Sequence, residues 1–237
     1  MIDWQQIDTV FLDMDGTLLD LHFDNYFWLS HLPERYAEHK SLPLARASEK
    51  LDQLIRQQAG TLNWYCLDFW TETLGLDIPQ MKEEVKHLIA FRPHVEYFLE
   101  ELQRTHHRVV LVTNAHNKSL NLKLGITRLD RFVDAIICSH DLGIPKEDVA
   151  FWHALQKIEP YNPDRTLFID DSIHVLKAAR EYGVRYLYTI LQPDSQQPER
   201  KPDGPDFVAI DKFKDLIRHN EITSAKIPSS TAGTAPG

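Results

Sequence analysis

The chain has 237 residues, 43% of them hydrophobic, enough to bury a substantial core in one domain with a large insertion, or in one large and one small domain. Its net charge of −9 and pI near 5.7 exclude a surface built to grip nucleic-acid backbone, so any phosphate ligand must be met by local cations, a metal or backbone donors. Two cysteines, Cys66 and Cys138, show no CxxC or metal-ligand spacing, which argues against a disulfide framework or a zinc site and predicts reduced core thiols in an intracellular protein.

Along the chain, Met1 to Val10 is polar, carrying Asp3, Gln5, Gln6 and Asp8, and does not read as a signal peptide. Thr9–Leu12 is the first apolar, strand-like run, and it ends abruptly in Asp13-Met14-Asp15-Gly16-Thr17. From residue 23 to 91 the patterns are helical. Leu44, Leu51, Leu54 and Ile55 trace one face with Gly60 as a stop, and Met81, Val85, Leu88 and Ile89 trace another after Pro79. Two aromatic-rich segments, Tyr26-Phe27-Trp28 and Trp64 through Trp70, belong to this stretch. Pro93 reads as the first-turn proline of a helix carrying Val95, Phe98, Leu99 and Leu102. His106-His107 follow where that helix gives way to a strand, and the twelve histidines as a whole are scattered and expected mostly at the surface.

Strand-like runs then recur at Arg108–Val112, Ala135–Cys138, Thr166–Ile169 and Tyr186–Ile190, with a helix predicted over Ile173–Tyr182 and stopped by Gly183. An edge strand at Phe207–Ile210 and a helix at Lys212–Arg218 complete the core. The Ser, Thr, Ala, Gly and Pro-rich stretch 221–237 is expected to be disordered. Apolar runs such as Val109–Val112 are far too short to cross a bilayer, so a cytoplasmic protein without membrane contact is expected. Strands alternating with helices predict an α/β fold with a Rossmann-like doubly wound parallel sheet. The core would comprise 1–22 and 92–220, with 23–91 an inserted α-helical cap.

The chemistry gathers at predicted strand ends, where open α/β sheets bind ligands. Period-two alternation puts Asp13 and Asp15 on one side and turns Met14 away. Two carboxylates held so closely call for a cation or unequal protonation, although a strand-end turn could use the same acids merely to hold its loop. The other strand ends weigh against that plainer account. Thr113-Asn114 offer a hydroxyl and an amide where a phosphate oxygen would lie. Lys146, after Gly143-Ile144-Pro145, stands at an expected helix start with Glu147 and Asp148 and can neutralise a phosphate. Asp170-Asp171 form a second acid pair. Oxygen ligands from separate strand ends suit magnesium.

With these motifs in this order, the chain resembles the haloacid dehalogenase superfamily of phosphohydrolases from about Val10 to Ile190. The resemblance implies that Asp13 is the nucleophile that becomes an aspartyl-phosphate and that Asp15 is the general acid and base. Thr113, Asn114 and Lys146 would hold the phosphoryl group. Mg2+ would sit among Asp13, the Asp15 carbonyl, Asp170 and Asp171. Many relatives carry an asparagine where Val175 stands, so that contact must differ. Family dehalogenases lack the second acid of the first motif, so Asp15 argues for phosphate chemistry.

A cap of this size favours small metabolites over phosphoproteins. Asp20 to Trp28 directly follows the first motif and should roof the pocket, which makes His22, Asn25 and Trp28 candidate substrate contacts; Trp64, Tyr65, Phe69 and Trp70 add aromatic surface. Any one of these rings is more often core than ligand box. The run DLxFDNxFW and the layout are also similar to bacterial GMP/IMP 5′-nucleotidases of this superfamily, which implies a purine nucleoside monophosphate as substrate. A sugar-phosphate phosphatase, a phosphomutase, or a phosphate-binding regulator without turnover remain alternatives. Nothing in the sequence sets the oligomeric state, and a monomer is compatible with it.

Overall fold

Six short apolar runs become the strands of one all-parallel sheet in the computed structural model, which describes residues 2–201, 207–210 and 212–216. They are β1 (Thr9–Leu12), β2 (Arg108–Thr113), β3 (Ala135–Cys138), β4 (Thr166–Asp170), β5 (Tyr186–Ile190) and β6 (Val208–Ile210), in the spatial order β3-β2-β1-β4-β5-β6. Leu12 is level with Leu111 of β2 and with Ile169 of β4. The chain therefore winds outward from β1 to β3, then returns to the other side of β1. That reversal leaves a crevice at the carboxyl ends of β2, β1 and β4.

Both sheet faces are covered, and alternation along the strands sorts their side chains. Val10, Leu12, Val109, Leu111, Leu167 and Ile169 join one core cluster, while Phe11, Val110, Val112 and Phe168 join another.

Between β1 and β2 no strand intervenes among the described residues. The chain forms α1 (His22–Tyr26), a π-helical turn (Phe27–His31), α2 (Leu32–Lys40), α3 (Leu44–Gln57), α4 (Leu62–Tyr65), α5 (Leu67–Leu74) and α6 (Ile78–Glu84). Of the predicted α3 face, Leu51 is buried and Leu54 and Ile55 pack against the core, but Leu44, at the first turn, is 50% exposed. The helical stretch leaves and rejoins the sheet through one narrow ribbon. Leu19 bridges Phe91, the Asp20 N–H donates to the Ala90 carbonyl (2.9 Å), and the Arg92 N–H donates to the Leu18 carbonyl (2.9 Å).

The remaining helices are α7 (Val95–Gln103), α8 (Asn117–Thr127), α9 (Ser139–Leu142), α10 (Val149–Ile158) and α11 (Ile173–Tyr182). Helix α7 buries Val95, Phe98, Leu99 and Leu102 in the first cluster, whereas α10 and α11 bury Phe151, Trp152, Leu155, Val175 and Leu176 in the second. Pro93 is not a first-turn residue. The chain takes a left-handed step at His94 (φ 67°), and the helix starts at Val95. Helix α10 likewise starts beyond the expected point, with Asp148 capping the Ala150 N–H, so Lys146 belongs to the preceding turn. His107 is buried against the Trp4 carbonyl rather than lying at the surface.

The predicted edge strand is β6, one residue shorter at its start. Of the helix expected at Lys212–Arg218, a 3-10 turn over Phe213–Leu216 is described; residues 217 and 218, and the stretch 221–237, lie outside the described residues. No helix among the described residues is long and apolar enough to cross a membrane.

Candidate active site

Three strand ends and one turn converge at the crevice. Asp13 continues the line of β1, its N–H donating to the Ile169 carbonyl at 3.0 Å, which sets it beside Asp170 at the end of β4. Lys146 reaches both acids, with Nζ 2.6 Å from Asp13 Oδ1, 2.7 Å from Asp170 Oδ2 and 3.0 Å from the Val112 carbonyl. Its backbone is held equally firmly: the N–H donates to Asn114 Oδ1 (3.0 Å), and the carbonyl accepts from Trp152 Nε1 (3.0 Å). Burial opposes the charge on this ammonium, but Asp13 and Asp170 override it and hold the lysine above its usual range.

One ammonium does not balance the acids. Asp13, Asp170 and Asp171 bring carboxylate oxygens within 4.8 Å of one another. Burial pushes Asp170 well above the usual carboxylate range, with Asp13 and Asp171 adding to it. Burial, then the charge of Asp13, raises Asp171 to about 7, although Arg200 approaches to 3.4 Å and pulls the other way. Asp13 Oδ2 is buried with no hydrogen-bond partner. An orphaned carboxylate oxygen in an acid-rich cluster of hard donors fits a magnesium ion. Gly16 packs against the same cluster in a left-handed conformation (φ 85°), and a Cβ there would lie 2.8 Å from the Asp171 carboxylate.

Asp15 belongs to a second network. Lys123 of α8 lies 2.6 Å from Asp15 Oδ1 and 2.7 Å from Asp24 Oδ2, and Lys82 of α6 is 2.5 Å from Asp24 Oδ1. Burial raises Asp15 to about 6; Lys123 pulls it down and Asp24 pushes it up. At Asp24 the two lysines overcome burial and hold the carboxyl well below its usual range. The alternation that turns Met14 into the core thus leaves Asp13 and Asp15 lining one cavity but serving different cations.

That cavity, of about 680 Å³, is lined by Asp13, Asp15, Thr113, Asn114, Lys146, Asp170 and Asp171 at one end, and by Asn25, Trp28, Trp64, Tyr65 and Trp70 toward the helical stretch. Of the predicted site residues, His22 stands apart. It does not line the cavity, and its Nδ1 lies 3.6 Å from Asp194. Asn25 lines it, but its amide donates to Asp194 Oδ2 at 2.7 Å. Phe69 does not line it, and Trp70 is almost wholly core.

Asn114 spends both ends of its side chain, on the Lys146 N–H and on Glu147 Oε2 (2.8 Å), so it orients the lysine turn instead of presenting a free amide. Glu147 in turn accepts from the Tyr65 hydroxyl (2.6 Å), tying α4 to the crevice. Lys123, Lys82 and Glu147 were not predicted from the sequence as site residues. The reading of the cysteines and histidines also changes. Cys66, His116 and His140, far apart in the chain, bring ligand atoms within 4.8 Å of one another beside the cavity.

The profile of the family described as haloacid dehalogenase-like hydrolase matches residues 10–189. The chain is 43% identical over 210 residues to the GMP/IMP nucleotidase YrfG of Escherichia coli (strain K12), covering 87% of this chain and 95% of that protein. Among solved structures it resembles the HAD phosphatase from Thermococcus onnurineus, with a TM-score of 0.74, 20% identity and coverage of 89% of this chain and 96% of that one. It also resembles the HAD-hydrolase YfnB from Bacillus subtilis bound to magnesium, with a TM-score of 0.63, 18% identity and the same coverage.

Proposed function

The chain belongs to the haloacid dehalogenase-like hydrolase family, and from that premise we propose that it is a magnesium-dependent 5′-nucleotidase acting on purine nucleoside monophosphates such as GMP and IMP. The observation that carries the reading is the state of Asp13. One carboxylate oxygen is pinned by Lys146, the other is buried without a partner, and both belong to the floor of a cavity large enough for a nucleotide.

In this reading Asp13 attacks phosphorus, the bond to the nucleoside oxygen breaks, and an aspartyl-phosphate forms. Asp15, raised to about 6 by burial, gives its proton to the departing oxygen. It then takes a proton from the water that attacks the aspartyl-phosphate, and inorganic phosphate leaves. Lys146 and Thr113 hold the oxygens of the transferring group, with Asn114 fixing the lysine's backbone. Asp13, Asp170, Asp171 and the Asp15 carbonyl would hold magnesium, which supplies positive charge to the phosphoryl oxygens.

Residues 23–91 act as the cap that chooses the substrate, with Trp28, Trp64 and Tyr65 offering the faces against which a purine stacks. The substrate reading is further supported by the E. coli relative's extent of identity, which spans both the sheet and these helices.

Phosphate release with magnesium from a panel of nucleoside monophosphates and sugar phosphates tests both parts. GMP and IMP should lead the panel, and Asp13→Asn should abolish release while the melting temperature shows the fold intact. A preference for sugar phosphates would discard the purine assignment. Normal turnover by Asp13→Asn would discard the nucleophile.

A further inference from the structure

Beside the cavity, and separate from its carboxylates, lies a grouping of a different chemical character. Cys66 sits between α4 and α5, His116 caps the start of α8, and His140 lies in α9. The Cys66 sulfur and one ring nitrogen from each histidine fall within 4.8 Å of one another. His140 Nε2 is buried and has no hydrogen-bond partner, a state that costs free energy unless something occupies its lone pair. The His116 and His140 rings stand perpendicular with centroids 5.0 Å apart. His116 Nε2 is 3.7 Å from Asp68 Oδ2, and its Nδ1 takes a long contact (3.4 Å) from the Lys118 N–H. Cys66 Sγ accepts a long hydrogen bond (3.4 Å) from the Phe69 N–H and has no disulfide partner.

We propose that Cys66, His116 and His140 form a site for a borderline-soft divalent cation, zinc above all, with the fourth position left to water. One thiolate and two imidazoles are a zinc donor set, whereas the Asp13, Asp170 and Asp171 cluster, all oxygen, is a magnesium one. The two sites therefore sort metals by donor chemistry. Binding costs Cys66 its thiol proton, which is released to solvent as the sulfur–metal bond forms.

Placement gives the site a consequence. Cys66 comes from the helical stretch, while His116 and His140 come from the segments that follow β2 and β3. Cys66 adjoins Tyr65 and Leu67, and His116 itself lines the cavity. A bound cation would staple the helices to the sheet across the cavity's edge and slow any exchange of substrate and product that needs the two to part. This binding claim stands independently of the proposed substrate.

The test is a titration of the full chain, kept in excess magnesium, with Co2+ as a coloured stand-in for zinc. One equivalent should produce a near-ultraviolet thiolate-to-cobalt charge-transfer band. Zinc should displace it, and iodoacetamide should then label Cys66 at least about tenfold more slowly. Cys66→Ser should remove the band, His140→Ala should weaken cobalt binding about tenfold or more, and Cys138→Ser should leave it unchanged. Cobalt held by the acid cluster gives no thiolate band, so the two destinations are distinguishable. Absence of the band at one equivalent, or its persistence in Cys66→Ser at an unchanged melting temperature, overturns the proposal.

Discussion

Lys123 carries the most consequence per atom outside the family motifs, because its one ammonium serves two buried carboxylates. Lys123→Met strips Asp15 of its cation and leaves Asp24 with Lys82 alone, which should cost roughly 3–5 kcal/mol in a denaturant melt. It should also raise Asp15 above its present value of about 6, moving the alkaline limb of the pH–rate profile upward. A melt that shifts while the pH profile stays put would mean that Lys123 only holds the fold.

Asp171 gives a second test with a definite sign. Burial raises its pKa in the folded chain from the ordinary carboxylate range to about 7, so at pH 8 without divalent metal its charge weakens the fold. Asp171→Asn should therefore stabilise the metal-free protein at pH 8, by at most about 4 kcal/mol. The gain should shrink as pH falls through about 7 toward 4, and magnesium should erase it. Thermal melts across that range, with and without metal, decide the matter.

The acids were legible in the sequence because each pair interrupts an apolar run, an expensive place for charge. Lys146 was legible by its order among them. Lys123 was not, because it stands in no strand-end motif and its partners lie 108 and 99 residues away.

At the scale of elements, β-rich apolar runs located every strand to within about a residue, since strands covered on both faces leave little choice of side chain. Helix starts were less legible. The Arg92 N–H is already spent on the Leu18 carbonyl, so the chain finishes its ribbon and turns at His94 before it can coil; Pro93 signals the break but not the first turn. The turn after β1 offers the sharper test. Gly16→Ala forces an L side chain to φ 85° and drives a Cβ into the Asp171 carboxylate. It should cost on the order of 1–3 kcal/mol and most of the phosphatase activity, since the acid cluster must shift to admit it. Full activity with an unchanged melt would show that the turn relaxes freely.

At the scale of the whole molecule, the helical stretch is held to the sheet by polar bridges: Tyr65 to Glu147, Lys118 to Asp68, and Lys123 to Asp24. Tyr65→Phe removes one bridge at a net cost of about 1 kcal/mol. With the proposed nucleotide substrate it should raise KM by severalfold with kcat nearly retained; a fall in kcat at constant KM would instead place Tyr65 in the chemistry. None of these bridges was readable in sequence, because each joins segments whose proximity exists only after the sheet has formed.

The ribbon at Leu19 and Phe91 has one more consequence. Because the outgoing and returning strands are bridged to each other, the helices hang from the sheet as a cassette on a single doorway, and the order of β1 to β6 is indifferent to what the cassette contains. Such a joint lets a lineage exchange the helical insert by recombination at two positions that are far apart in the gene but adjacent in the fold, while the acids at the strand ends stay in register.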